Sequence, residues 1–269
     1  MRDNASKLAG ILREIEGRFL LFVTGAGVSA ASGLSTFRGK DPDAIWARDV
    51  LEMGTNAYFQ EHPVEWWLWF LDRFAKVFDA KPNAAHFAIR GIEERHTGGG
   101  GEFLLITQNV DTLHEQAGSK RLVKVHGTAD RVRCSRTGCS NGAPSGSIPI
   151  VEVDFKAFHA RPAADTVPRC PLCGSLVRAH ALLFDEYYAE HQDYGFTRVE
   201  NAASRAELIV FVGTSFSVGV TDLLTRSAWM RGAPALSIDP VGSPPPRVEA
   251  FLDTAEILLP RVCELLVKQ

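Results

Sequence analysis

Arg18-Phe19-Leu20-Leu21-Phe22-Val23-Thr24-Gly25-Ala26-Gly27-Val28-Ser29-Ala30-Ala31-Ser32-Gly33 decides the fold class. An apolar run of strand length stops at a glycine-rich turn. Before it, the segment from Lys7 to Ile15 sets its apolar residues at helical spacing. In the order helix, strand, glycine loop, the glycines let backbone amides approach a pyrophosphate, and a following helix terminus favours the phosphate charge. The last glycine falls too late for the G-x-G-x-x-G fingerprint, so a plain tight turn remains open on these residues alone.

Three further runs repeat the pattern outward from this stretch. Glu102 to Asp111 (EFLLITQNVD) follows the glycines 98–101, Ala206 to Ser215 (AELIVFVGTS) ends in Gly-Thr-Ser, and Ala233 to Asp239 (APALSID) ends on a carboxylate. Apolar strands separated by helical stretches, each with polar residues at its C-terminal edge, predict an α/β fold. Its centre is an open parallel Rossmann-like sheet that takes its ligand along that edge. Two segments fall outside the sheet. Residues 41–80 hold the aromatic run PVEWWLWFLDRFAKVF, read as the core of a small helical part, and residues 134–178 hold two cysteine pairs. The expected organisation is therefore a discontinuous large domain, 1–40, 81–133 and 179–269, with a small domain inserted from 41–80 and 134–178.

The cysteines carry a second signal. Cys134 and Cys139 are five apart, Cys170 and Cys173 three apart, and Cys263 stands alone in an apolar stretch. Two close pairs let four thiolates converge tetrahedrally. Four sulfur ligands leave no place for a reactive water, so the pattern predicts a structural Zn2+ site. A redox pair at Cys170/Cys173 or buried free thiols are the alternatives.

With 269 residues, 45% hydrophobic, the chain can bury a substantial core, and a net charge of −3 gives no global field for nucleic acid or anionic lipid. Direct nucleic-acid binding is not indicated. No uncharged apolar run approaches the roughly 20 residues that span a bilayer, and the N-terminus lacks a signal-peptide core, so a cytoplasmic protein without a membrane partner is expected.

Taken in order, GAGVSAASGLSTFRG, TQNVDTLHEQAG, the Val125-His126-Gly127 triplet, the cysteine pairs and GTSFSV make the chain similar to the sirtuins. The resemblance spans nearly the whole sequence. It implies an NAD-dependent protein lysine deacylase that consumes NAD and releases nicotinamide, O-acyl-ADP-ribose and free lysine, with an acyl-lysine protein or peptide as partner. In such enzymes the acyl oxygen attacks the ribose carbon as nicotinamide leaves, and a histidine deprotonates a ribose hydroxyl. The matching histidine is His126, with Asn109 beside it in the catalytic set; imidazole suits proton transfer near neutral pH. The resemblance also implies that NAD is held by Gly25, Ala26, Gly27 and Ser29, by Phe37 and Arg38 of the cofactor loop, and by Gln108, Asn109 and Asp111. On the adenosine side it implies Gly213, Thr214, Ser215, Asp239 and Ala255. Phe184, Asp185 and Glu186 lie in the segment that pairs with the substrate peptide as an added strand. His86 and His114 are expected as packing or supporting groups.

Departures from the family pattern bear mostly on substrate. Ser35-Thr36 replaces the usual Pro-Asp, Asp239 replaces the commoner Asn, and Phe184-Asp185-Glu186 replaces Phe-Gly-Glu. Phe70-Leu71-Asp72-Arg73 offers an arginine, without the tyrosine, where some relatives recognise acidic acyl groups; a surface arginine beside an aromatic core is the plainer reading. A sirtuin-like NAD hydrolase or ADP-ribosyl transferase would need the same pocket. A non-catalytic NAD-sensing or zinc interaction module would predict loss of His126, Asn109 or Asp111, all of which are present.

Overall fold

The computed structural model describes residues 3–35, 48–241 and 243–267. Phe37 and Arg38 lie outside the described residues.

The chain opens with α1 (Asn4–Glu14), whose first turn is capped by Asp3 accepting from the Ser6 amide at 2.8 Å. It enters β1 (Phe19–Thr24), then a 3₁₀ turn over Ala26–Ser32 closed by Gly33 at φ +83°. Next come α2 (Arg48–Met53), α3 (Asn56–Glu61), α4 (Pro63–Asp79), α5 (Ala84–Gly98), β2 (Glu102–Thr107), α6 (Leu113–Gln116) and β3 (Leu122–Lys124). After these follow β4 (Gly127–Cys134), β5 (Ile148–Pro149), α7 (Lys156–Ala160), β6 (Val177–Ala181) and α8 (Phe196–Arg205). The chain finishes with β7 (Leu208–Val212), α9 (Gly219–Arg231), β8 (Ala235–Ile238), β9 (Val248–Phe251) and α10 (Ala255–Val267).

Six parallel strands form the large sheet in the order β3-β2-β1-β7-β8-β9, the doubly wound order in which the chain reverses direction between β1 and β7. Every residue of β1, β7 and β8 is buried, as a parallel sheet covered on both faces requires. Alternation along β1 splits its side chains between two cores. Leu20 and Phe22 face α1, α5 and α10, while Phe19, Leu21 and Val23 face α8 and α9.

A second, antiparallel sheet, β5-β4-β6, leaves the large one at Gly127 and returns after Ala181. Its core is a third cluster in which Phe59, Trp66, Trp67 and Phe70 of α3 and α4 pack on Val132, Val177 and the cysteines. The aromatic helix is thus core, as its pattern predicts, and it is core to the cysteine module. Trp67 Nε1 donates to the Val177 carbonyl at 3.0 Å, tying the two parts together. None of the described helices is long and apolar enough to cross a membrane.

Candidate active site and metal centre

The reversal point between β1 and β7 brings two glycine loops against each other. A Cβ at Gly25 would stand 2.7 Å from the Gly213 carbonyl oxygen, and one at Gly27 would stand 2.6 Å from the Gly213 Cα. Gly213 itself sits at φ +59°, which other residues rarely adopt. The amides of Gly25 and Gly27 are bonded to Val212 and Gly213 carbonyls at 3.0 and 2.9 Å. These glycines are therefore needed first for loop-to-loop packing, which opens a shallow floor at the sheet edge.

Beside that floor the end of β2 builds a buried polar network. Asn109 Nδ2 donates to the Gly25 carbonyl and to Ser29 Oγ, each at 3.1 Å, and Ser29 Oγ donates to Asp111 Oδ2 at 2.9 Å. Asp111 Oδ1 accepts from the Leu113 amide at 3.0 Å. Asn109 and Asp111 are each only 5% exposed, so their orientation is fixed by these partners. Gln108 Nε2 reaches Thr214 Oγ1 at 3.2 Å, bridging the two loops. His86 and His114 pack ring to ring beneath, with His114 Nε2 3.0 Å from Thr24 Oγ1, in the supporting role expected of them.

His126 stands where β3 gives way to β4. Its Nδ1 meets the Gln108 carbonyl at 2.8 Å, which requires the proton on Nδ1 and leaves Nε2 as a lone pair aimed into the cleft. Burial lowers its pKa from the ordinary 6.5 to about 4, against the opposing effect of the Gln108 carbonyl. The ring is neutral at pH 7 and able to accept a proton. Tyr188 lies over it, rings 5.8 Å apart and its hydroxyl 3.3 Å from Nε2.

A cavity of about 740 Å³ joins these parts. Gly25, Ala26, Gly27, Gln108, Asn109, His126, Gly213, Thr214, Ser215 and Asp239 line one side; Trp69, Phe70, Arg73 and Phe74 of α4 line the other. A smaller cavity, about 280 Å³, opens beyond Asn109 and is walled by Ala26, Ser29, Ser35, Asp111, Arg73 and Phe74. Most of the expected residues thus meet in one cleft. Ala255 lines neither cavity: it begins α10 and is buried in the core cluster beside the sheet.

Phe184 and Glu186 line the cleft and Asp185 does not, but both carboxylates are engaged by the protein itself. Asp185 accepts from the Asn56 and Ala57 amides at 2.7 and 3.0 Å, capping α3, and Glu186 pairs with Arg133 at 2.7 Å and with Arg178. The amides of Leu182, Leu183 and Phe184 are bonded to the His126 carbonyl, Glu186 Oε2 and the Gly54 carbonyl at 2.9, 2.9 and 3.0 Å. An added strand would have to use carbonyls in this stretch or residues beyond it. Aspartate in place of glycine at 185 thus has a structural reason, a helix cap, independent of any ligand.

Sequence reasoning passes over Tyr188, Trp69 and Phe74. No spacing rule links them to the motifs, since they reach the cleft from a loop and a helix distant in sequence. Arg73 is placed more deeply than a surface arginine: it is half-buried, lines both cavities, and its Nε has no hydrogen-bond partner among the described residues.

The four cysteines converge on one point. Cys134 and Cys173 sulfurs are 3.5 Å apart, Cys139 and Cys170 3.8 Å, and all four lie within 4.8 Å of one another. Tetrahedral zinc with bonds of about 2.3 Å holds its sulfurs about 3.8 Å apart, so the set fits that ion with every position filled. Gly138 and Gly174 supply the positive φ, +81° and +72°, that each knuckle turn needs. Cys263 is outside this group, its thiol donating to the Ala88 carbonyl at 3.2 Å.

The Sir2 family model matches residues 25–220. An NAD-dependent protein deacylase of Thermus thermophilus is 36% identical over 230 residues, 85% of this chain and 82% of that protein. A solved Sir2 homolog–NAD complex is 33% identical with a TM-score of 0.78, over 98% of this chain and 94% of the other. A mutant Sir2 homologue with 2′-O-acetyl ADP-ribose is 32% identical with the same TM-score, over 99% and 97%. With the motif order, the doubly wound sheet and the four-cysteine module in agreement, this chain belongs to the Sir2 family.

Proposed function

We propose that the chain is an NAD-dependent protein lysine deacylase, with deacetylation its main activity. The observation that carries this reading is the position of His126. Its unprotonated Nε2 faces a cavity walled on one side by the glycine loops and on the other by the aromatic face of α4. NAD supplies an electrophilic ribose carbon with nicotinamide as leaving group. Gly25, Ala26, Gly27, Thr214 and Ser215 would hold its phosphates and adjoining ribose, and Asp239 would accept from ribose hydroxyls. Asn109 and Asp111 would bind the nicotinamide end, the amide matching a carboxamide and the carboxylate accepting from its NH₂. His126 Nε2 would take the proton of a ribose hydroxyl, the Gln108 carbonyl holding the ring in the tautomer this needs.

The acyl chain would lie among Trp69, Phe70 and Phe74, an apolar wall that suits an acetyl or longer alkyl group. Arg73 favours a second reading of acyl choice: a cation on this wall, with no ion pair among the described residues, could meet a carboxylate-bearing acyl group. The four-cysteine zinc is structural in this account, and the cytoplasm is its expected compartment.

The test is to incubate zinc-loaded protein with NAD and acetyl-, longer-acyl- and succinyl-lysine peptides, counting nicotinamide and freed lysine. Equal amounts of both, with neither formed when peptide is omitted, is the expected result. Nicotinamide release without peptide and without acyl loss would instead identify an NAD hydrolase or ADP-ribosyl transferase. A succinyl preference lost in Arg73→Ala would assign the acyl reading to that arginine.

A further inference from the structure

Behind the strand pair that carries His126 lies a cluster used by none of the chemistry above. His180 sits on β6 opposite Thr128, and two residues later the Leu182 amide donates to the His126 carbonyl at 2.9 Å. His191 and Asp193 arrive from the loop before α8. Asp193 Oδ2 is 3.2 Å from His180 Nε2 and 3.7 Å from His191 Nδ1. We propose that His180, His191 and Asp193 form a second divalent-metal site, separate from the cysteines and suited to zinc or a similar borderline transition metal.

Three observations carry it. First, the spacing fits: donors about 2.0–2.1 Å from a tetrahedral zinc stand roughly 3.3–3.5 Å apart, and these three lie within 4.8 Å of one another. Second, His180 is 1% exposed, and neither ring nitrogen has a hydrogen bond among the described residues, since the approach of Asp193 to Nε2 lacks the geometry for one. A buried imidazole left this way costs about 1–3 kcal/mol, which a metal bond would recover. Third, the surroundings are those of a metal-bound histidine. His191 Nε2 donates to the Gly146 carbonyl at 3.1 Å, fixing the tautomer that leaves Nδ1 as the ligand, and Ser147 Oγ donates to Asp193 Oδ2 at 3.2 Å. Nδ1 now accepts from the Asp193 amide at 3.2 Å, a bond the metal would replace.

Charge limits the affinity. Arg133 and Arg178 face the cluster but share Glu186, and Arg131 is held by the Ser147 carbonyl at 2.7 Å. Tyr194 covers the other face of His180, rings 5.5 Å apart. With three arginines near, the site should bind more weakly than the four thiolates. The Asp193 side chain, 47% exposed, leaves an entry from solvent and a position for water. Metal here would pin β6 to the loop that follows it, bracing the strand pair on which His126 stands.

The test uses protein already carrying one zinc in the cysteine site, dialysed against free Zn2+ buffered from nanomolar to ~100 μM, with metal counted by mass spectrometry. Wild type should take up a second equivalent and melt at higher temperature with it. Asp193→Asn, which keeps an acceptor for Ser147, and His191→Gln should each lose that equivalent while keeping the first. Cu2+ added to the zinc-loaded protein should show electron-spin coupling to two imidazole nitrogens. If wild type takes up no second equivalent, or both variants retain it with unchanged affinity, the proposal is overturned. Should His191→Gln fail to fold, Asp193→Asn decides alone.

Discussion

The two walls of the cleft are built on different principles. The sheet-edge wall is backbone: strand ends fixed by parallel pairing on both sides, glycines where one loop touches another, and a buried Asn109–Ser29–Asp111 network that leaves the side chains little freedom. The facing wall is side chain: Trp69, Phe70, Arg73 and Phe74 on one helix, held by a core that includes the cysteines. A wall of backbone can be specific for a constant ligand such as a dinucleotide. A wall of side chains can change its preference by substitution without disturbing the first, so cofactor use and acyl choice are separable in this architecture.

The largest expected effect probes the side-chain wall's foundation. Cys170→Ala leaves three thiolates, and because metal binding and folding of such modules are one equilibrium, zinc content should fall from one per chain toward zero. Near-ultraviolet circular dichroism from Trp66 and Trp67 should be lost, while the large domain keeps its helical signal. Loss of both signals together would show that the walls do not fold independently.

On the sheet side, Gly213→Ala forces a left-handed φ of +59° on a residue with a Cβ and drives that atom into the Val28 amide. A loss on the order of 1–3 kcal/mol and at least tenfold weaker NAD binding are expected, by chemical denaturation and calorimetry. Phe74→Ala on the opposite wall should leave NAD affinity within about threefold and change the acyl preference instead. Equal losses of NAD affinity in both variants would remove the distinction between the walls.

Acid should act through buried histidines beneath the sheet-edge wall. Burial lowers His86 and His126 from 6.5 to about 4. Between those values the unfolded chain binds protons that the folded chain refuses, so stability is unaffected above pH 6.5 and falls as pH drops toward 4. His86, which is fully buried, alone contributes on the order of 3 kcal/mol to that fall. Melting temperature against pH reads it out, and His86→Gln should flatten the slope.

The smallest effect is expected at Tyr188. Phenylalanine there removes a hydroxyl 3.3 Å from His126 Nε2 but keeps the ring stacked on Phe196. Peptide-dependent turnover should change less than about tenfold, with the change in kcat rather than in melting temperature.

What could be read in the sequence follows from the same contrast. β1, β2, β7 and β8 announce themselves as continuous apolar runs because parallel strands are covered on both faces, and the polar residues at their ends mark the sheet edge. β3 is three residues long, and β9, at the sheet's margin, buries only its first and last residues, so neither rises above its surroundings. β4 and β6 are masked by charge: Arg133 and Arg178 are buried within them, tolerable because Glu186 pairs with both, a compensation invisible before the chain is folded. The cysteine cluster was readable because metal geometry imposes spacing. Tyr188 over His126 and the depth of Arg73 were not, because they arise where separate elements happen to meet.

Replacing His126 with alanine addresses the account most directly. The variant, assayed with NAD and acetyl-lysine peptide, should keep its zinc, its melting temperature within a few degrees and its NAD affinity, while freed lysine falls by about 10²–10⁴-fold. A folded, zinc-loaded His126→Ala protein that frees lysine at the wild-type rate would contradict the assignment of the base and, with it, the place of the reaction in this cleft.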